Sequence, residues 1–366
     1  MNAARSRGVQ GTQAAPHIGE LPRGPLGTIA DVDGVTVGHC TLDQGALQTG
    51  VTVIRPHAGD PFVDKVPAAA SVINGFGKSI GLVQLDELGT LETPIALTNT
   101  FGVAAVAQAQ IRAACAAHPH IGREWPTVNP LVFECNDGYL NDIRALAVGE
   151  QHFDQAYAAA SANVASGSVG AGRGMSCFDL KGGIGNASRV VEIARCRYTV
   201  GALVLANFGR LPMLVIDGMP LGRILTQREA DAAAQTTNAA KPEQGSIIMI
   251  VATDAPLDTR QLKRLSLRAA AGLARTGSVY GHGSGDIALA FSTAYTVPHS
   301  ADFFTLPPLL ADQRMDPLFR GCADSVEQAI VDALWSADSV SGRDSHRRLS
   351  LRESVPDLAR LLKHTT

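Results

Sequence analysis

The chain has no CxxC pair, no membrane-length apolar run and no surplus of either charge. Without an apolar stretch of ~18 residues, no membrane span is expected. Acidic residues number 34 and basic residues 31, for a formal net charge of −3 in 366 residues. That balance speaks against nucleic acid or an anionic lipid surface as partner. The six cysteines, Cys40, Cys115, Cys135, Cys177, Cys196 and Cys322, are scattered along the chain. They read as free thiols in a reducing compartment. His118-Pro119-His120 lacks helical ligand spacing and no Cys/His cluster accompanies it, so no metal is expected. Residues Met1 to Leu26 contain no apolar signal segment and are expected to form a flexible lead-in, which points to a cytoplasmic protein. Aromatic residues make up only 5%.

What is present in quantity is glycine, 37 residues, together with 45% apolar and 18% charged residues. This is the composition of a globular chain with many tight turns. Short β-branched runs predict buried strands at Val51–Ile54, Leu131–Cys135, Val200–Leu205, Met213–Ile216, Ile247–Thr253 and Ile287–Phe291. Helical spacing predicts helices at Thr100–Ala117, Asp154–Val164 and Asp258–Arg275, the last with Asp258 as N-cap. Ser325 and Gln328 form a candidate capping box before Ile330 and Leu334. The mixture implies an α/β or α+β class, with helices covering sheet faces.

One polar segment, Gln227 to Gln244, reads as an exposed connector. It leads into Gly245-Ser246 and then the apolar run Ile247 to Val251. A loop entering a buried strand is the plain reading. A second reading makes Ser246 a new N-terminus. Glycine tolerates strained backbone, so the Ser246 hydroxyl can attack the Gly245 carbonyl. An N-to-O acyl shift followed by hydrolysis releases a chain that starts at Ser246. Its α-amine, with an ordinary pKa of ~7.7–8.0, is then an available base. Nucleophile and base sit on one residue.

Four further clusters carry possible chemistry. Ser284 and Asp286, in Gly281-His282-Gly283-Ser284-Gly285-Asp286, share a face if the strand begins there, and could hold an amine; His282 is a candidate base. Glu134 to Asp142 places Glu134, Asp137, Asp142 and Tyr139 at a strand end, suited to a substrate ammonium or simply to an Asx-rich turn. Asn207, at another strand end, is a candidate oxyanion donor. The Gly-rich stretch Ser166 to Arg189 could expose backbone N–H groups to an anion. Two rivals follow. Gly77-Lys78-Ser79 lacks the leading glycine of a Walker loop, since Val72 stands there. Gly77-Lys78-Ser79-Ile80-Gly81 matches GxSxG, with a candidate strand at Ala69–Ile73 and a helix at Ser79–Leu88, so an α/β-hydrolase-type esterase using Ser79 stays open. A non-catalytic anion- or nucleotide-binding protein built on residues 166–189 stays open as well.

Taken in order, Ile29-Ala30-Asp31-Val32-Asp33-Gly34-Val35-Thr36-Val37-Gly38-His39, Glu134-Cys135-Asn136-Asp137-Gly138, Lys181-Gly182-Gly183-Ile184-Gly185, Asn207, Gly245-Ser246 and Gly283-Ser284-Gly285-Asp286 resemble the DmpA-type serine peptidases. That family comprises the L-aminopeptidase/D-esterase-amidases and the β-peptidyl aminopeptidases. The resemblance implies a four-layer αββα sandwich like the N-terminal-nucleophile hydrolases, with different connectivity. It implies one hydrolase domain over residues 27–366, self-cleaved into an α chain 1–245 and a β chain 246–366. By position, Ser246 is the nucleophile, and Ser284 and Asp286 orient its amine and relay the proton. Asn207 is the oxyanion donor, and Glu134, with Tyr139 nearby, receives the substrate amine. Small peptides, amino-acid amides or esters are the implied substrates, with no metal or organic cofactor. Homo-oligomers, tetramers of αβ units, are implied too. β-Peptidyl members are expected to carry Glu where this chain has the shorter Asp286.

Overall fold

A computed structural model describes residues 15–232 and 244–363. Among them two sheets form the centre. The smaller has four strands in the order Thr36–Gln44, Leu47–Arg55, Ile95–Asn99, Leu131–Cys135. The larger has seven, and its long strands run in the order Asp64–Gly75, Gly283–Ser292, Gln244–Thr253, Cys196–Asn207, Gly183–Ile193. Most neighbours are antiparallel. The two long parallel pairs are Ile95–Asn99 with Leu131–Cys135, and Gln244–Thr253 with Gly283–Ser292. Each is a strand–helix–strand crossover, through the helices Val103–Ala117 and Thr259–Arg275, as parallel pairing requires.

Alternation along the strands separates three apolar layers. Ile248 and Ile250 join Phe133, Leu97 and Leu289 between the two sheets. Ile247, Met249 and Val251 point the other way, toward the helices Thr259–Arg275 and Asp316–Trp335. Val51, Val53 and Val132 face Val106 and Phe153 on the remaining helical layer. The order is therefore helix, sheet, sheet, helix, the four-layer sandwich expected. Fully buried Val, Leu, Ile or Phe side chains each contribute ~1.5–3 kcal/mol of apolar burial; the first two layers are rich in Leu and Ile, and the third is built from Val, Ala and Phe.

The expected Asp258 cap forms. Asp258 accepts from the Gln261 N–H at 2.7 Å, and the Gln261 side chain accepts from the Asp258 N–H at 3.1 Å. Asn99 caps Thr100–Gly102, a 3-10 turn that runs into the helix Val103–Ala117.

Other expectations need correction. Met213–Ile216 is no strand: a 3-10 turn spans Leu211–Met213, and Ile216 makes only an isolated bridge to Met219. The helix expected at Asp154–Val164 is displaced, to Glu150–Ala158. Ser325 and Gln328 lie inside the helix Asp316–Trp335 and do not cap it. Instead the Ser325 hydroxyl donates to Val200 O, and Gln328 Oε1 accepts from the Ile18 N–H and from Arg189. The same contacts dock part of the expected lead-in. Ile18 is buried, and the Val190 N–H donates to Pro22 O; residues 1–14 lie outside the described part. The expected connector begins as helix, Leu221–Ala232, with Arg228 paired to Asp357; its residues 233–243 also lie outside.

The Gly-rich stretch 166–189 is not a surface cradle. Its backbone donors are already used. The Gly167 and Gly170 N–H groups donate to Ile184 O and Thr41 Oγ1, and Ala171 donates to Thr52 Oγ1. From Gly183 onward it is the last strand in the order of the larger sheet, paired with Cys196–Asn207. At Gly185 a Cβ would stand 1.8 Å from Ala329 O, so glycine is what lets the helix Asp316–Trp335 approach. An anion nest needs successive unpaired N–H groups, and from Gly170 to Arg173 each is paired.

Candidate active site

The site forms where strand ends of both sheets meet. Ser246 is near the start of its strand and is 6% exposed. It pairs with Asn207 on one side and Gly285 on the other. The Gly285 N–H donates to Ser246 Oγ at 3.1 Å. Before it, Gly245 has φ +144°, and a Cβ there would lie 2.1 Å from Asn207 O. Only glycine fits this position, for both conformation and space.

Ser284 and Asp286 follow on the neighbouring strand, both buried. The Ser284 hydroxyl donates to Asp286 Oδ1 at 2.5 Å. Asn74, on the strand Asp64–Gly75, donates through Nδ2 to the carbonyls of Gly281, at 3.0 Å, and Ser284. The ladder between these strands shifts register between Asp286 and Ile287, the kind of irregularity that re-aims side chains beside active sites. His282 is exposed and lies against Phe76, with ring centroids 6.1 Å apart.

Glu134 closes the site from the smaller sheet and is 3% exposed. Its Oε1 accepts from the Lys78 N–H at 2.7 Å, and its Oε2 accepts from the Thr100 hydroxyl. A Cβ built on Gly77 would lie 3.6 Å from Glu134 Oε1 and 3.8 Å from the Cα of Gly285. Gly77 therefore lies between the carboxylate and Gly285, the residue whose N–H is on Ser246 Oγ. Asn207 ties the two sheets together: its Nδ2 donates to Asn136 O at 2.9 Å, and its Oδ1 accepts from the Ser176 N–H at 2.8 Å.

Tyr139 stands at the rim, 40% exposed. It stacks on His346 at 4.7 Å, with the Arg348 guanidinium 3.9 Å from the ring centroid. Arg348 Nε in turn donates to Ser176 Oγ at 3.2 Å. Asp137, which the sequence grouped with Glu134, is fully buried and accepts from Asn141 Nδ2 at 3.0 Å. It is a structural carboxyl beneath the site, not a surface one.

Burial lifts the Asp137 carboxyl to about 6, against an ordinary value of 3.8. The folded chain then binds this proton more tightly than the unfolded chain. Its contribution to stability is complete below pH ~4 and falls as pH rises to ~6. Asp137→Asn removes that ionisation. It is expected to raise the melting temperature at pH 8, by up to ~3 kcal/mol of stability, and to change little at pH 4. Thermal denaturation at the two pH values checks this.

Ser79 does not form a nucleophile elbow. The expected strand is there, as part of Asp64–Gly75, but the helix starts only at Leu82. The Ser79 hydroxyl oxygen is buried and has no hydrogen-bond partner among the described residues, so no imidazole or carboxylate there activates it. Among the described residues no group of His, Cys, Asp or Glu could hold a metal, and no helix is long and apolar enough to cross a membrane. Asn74, Thr100, Lys78 and Ser176 stand out in no local pattern. Each acts through backbone or side-chain contacts to another segment, and the trace in the sequence is that Thr100 follows a strand end.

Known proteins share this fold and much of this sequence. The profile of peptidase family S58 matches residues 27–348. A β-peptidyl aminopeptidase of Sphingosinicella microcystinivorans is 38% identical over 338 residues, 87% of this chain and 84% of that protein. The solved β-aminopeptidase of a Burkholderia species superposes with a TM-score of 0.84 at 39% identity, covering 94% and 95% of the two chains. The L-aminopeptidase D-Ala-esterase/amidase of Ochrobactrum anthropi, described as a variant of the Ntn hydrolase fold, gives a TM-score of 0.83 at 33% identity over 94% and 98%. On the fold, the length of the match and the level of identity, the chain belongs to peptidase family S58, among the aminopeptidase hydrolases.

Proposed function

We propose that Ser246 is the nucleophile of a self-processing aminopeptidase or amidase that acts on small peptides, amino-acid amides or esters. The observation that carries this is the Gly285 N–H held on Ser246 Oγ, directly after a glycine that nothing else can replace, with Glu134 and Asn207 gathered at the same strand ends. In processing, Oγ attacks the Gly245 carbonyl, the acyl group moves from nitrogen to oxygen, and water hydrolyses the ester. Gly245 becomes a carboxylate and Ser246 gains a free amine.

The mature cycle uses that amine as base. The substrate's own ammonium pairs with the Glu134 carboxylate, which the Lys78 N–H and Thr100 hydroxyl hold in place. Ser246 Oγ attacks the scissile carbonyl and its proton passes to the α-amine. The oxyanion accepts from the second hydrogen of Asn207 Nδ2, the first being used by Asn136 O. The Gly285 N–H stands beside it. Such preorganised donors are worth ~10²–10³ in rate. The α-ammonium returns its proton to the leaving amine, and water cleaves the acyl-enzyme. The Ser284–Asp286 pair orients the amine and carries its proton charge.

Intact mass and N-terminal sequencing of the purified protein test the reading. Two chains are expected, one beginning Ser-Ile-Ile-Met. An active preparation made only of uncleaved chain would overturn it.

A further inference from the structure

Lys181 is a buried cation that the chemistry above does not use. Its side chain is fully buried, and Nζ donates to Gly172 O at 2.9 Å and Gly182 O at 2.7 Å. Burying an ammonium costs several kcal/mol unless its protons are matched. Burial indeed pulls this one down to about 7. A methionine of similar volume would avoid that cost, so the charge calls for a role.

The surroundings supply one. Lys181 belongs to the two-residue strand Leu180–Lys181, which pairs with Ser176–Cys177 so that Lys181 lies opposite Ser176. The Gly182 N–H closes the hairpin on Met175 O at 3.0 Å, and the Lys181 N–H donates to Leu349 O at 2.8 Å. From this hairpin the Ser176 N–H reaches Asn207 Oδ1. With Oδ1 engaged, the amide cannot flip, and Nδ2 is the atom left to face Asn136 O and the site.

We propose that Lys181 is a positioning residue for the oxyanion donor: by pinning the carbonyls of Gly172 and Gly182, it holds the Ser176 N–H on Asn207 and fixes the direction of the Asn207 amide. This rests on the reading of Asn207 as that donor. Lys181 touches no substrate. It acts through three hydrogen bonds: Nζ to Gly182 O, Gly182 N–H to Met175 O and Ser176 N–H to Asn207 Oδ1.

The test is a double-mutant cycle on the processed enzyme with an amino-acid anilide. Asn207→Ala is expected to lower kcat ~10²-fold. Lys181→Met is expected to lower kcat at least tenfold with KM changed less than twofold. In the Asn207→Ala background it should remove less than a further twofold, since contacts acting through one group are not additive. Ser176→Pro, which deletes the donor and keeps the lysine, should behave the same way and serves if Lys181→Met does not fold. Independent, multiplying effects, or a loss confined to KM, would overturn the proposal. A neutral Asn207→Ala would instead overturn the oxyanion reading on which it stands.

Discussion

Ser246→Ala is expected to yield a single chain of 366 residues with activity reduced at least ~10⁴-fold. Both losses have one cause. The hydroxyl oxygen that would attack Gly245 is the one that would attack substrate, and without processing the α-amine never forms. Removing a serine nucleophile from a hydrolase costs ~10⁴–10⁶ in kcat, because base and oxyanion donors have no covalent partner left to assist. Folding should be unaffected, since among the described residues Ser246 Oγ accepts one backbone N–H and alanine keeps the strand. Ser79→Ala is the control: its hydroxyl oxygen has no partner among the described residues, and near wild-type activity is expected. Mass spectrometry of the product and an amide-hydrolysis assay check both. A processed, active Ser246→Ala protein, or an inactive Ser79→Ala protein, would move the nucleophile elsewhere.

Glu134→Gln is expected to lower kcat/KM by ~10²–10³ for substrates with a free amine. Glu134 is 3% exposed, so a bound ammonium meets it largely out of water. Removing one partner of such a buried charge pair costs ~3–5 kcal/mol, because the other charge stays behind uncompensated. Glutamine keeps an oxygen for the Lys78 N–H and nearly the same volume, so melting temperature should move little. Substrates acetylated at the amine should be poor for the wild type and respond far less to the substitution. Comparing kcat/KM for free and acetylated anilides across the two proteins decides it. An unchanged ratio would remove Glu134 from substrate recognition.

The residues at strand ends were legible because their signals are local. A β-branched run followed by Asn, Asp or Gly marks the point where a strand stops, which is how Glu134 and Asn207 were found. Ser246 was legible from the abrupt change between a polar segment and a buried strand. The Asp258 cap was legible because its partner, Gln261, is three residues away. Misreadings arose where a residue serves a distant segment. Gln328 has a capping spacing to Ser325, but its oxygen is used by Ile18 and Arg189. The Gly-rich stretch has an anion-binding composition, but many of its N–H groups are taken by turns within the stretch and by Thr41 and Thr52 on strands more than a hundred residues away.

By itself the sequence determined which residues could carry the chemistry, the α/β class and, through an ordered set of short motifs, the family. It did so because periodicity, caps and strand ends are written within a few residues of one another. Only the tertiary structure decided that Glu134 and Asn207, on different sheets, meet beside Ser246, and that Ser79 does not. It also decided that Asn74, Thr100 and Ser176 aim the groups around it. Those contacts join segments up to more than a hundred residues apart, and their geometry follows from strand register and sheet packing, which no local pattern encodes.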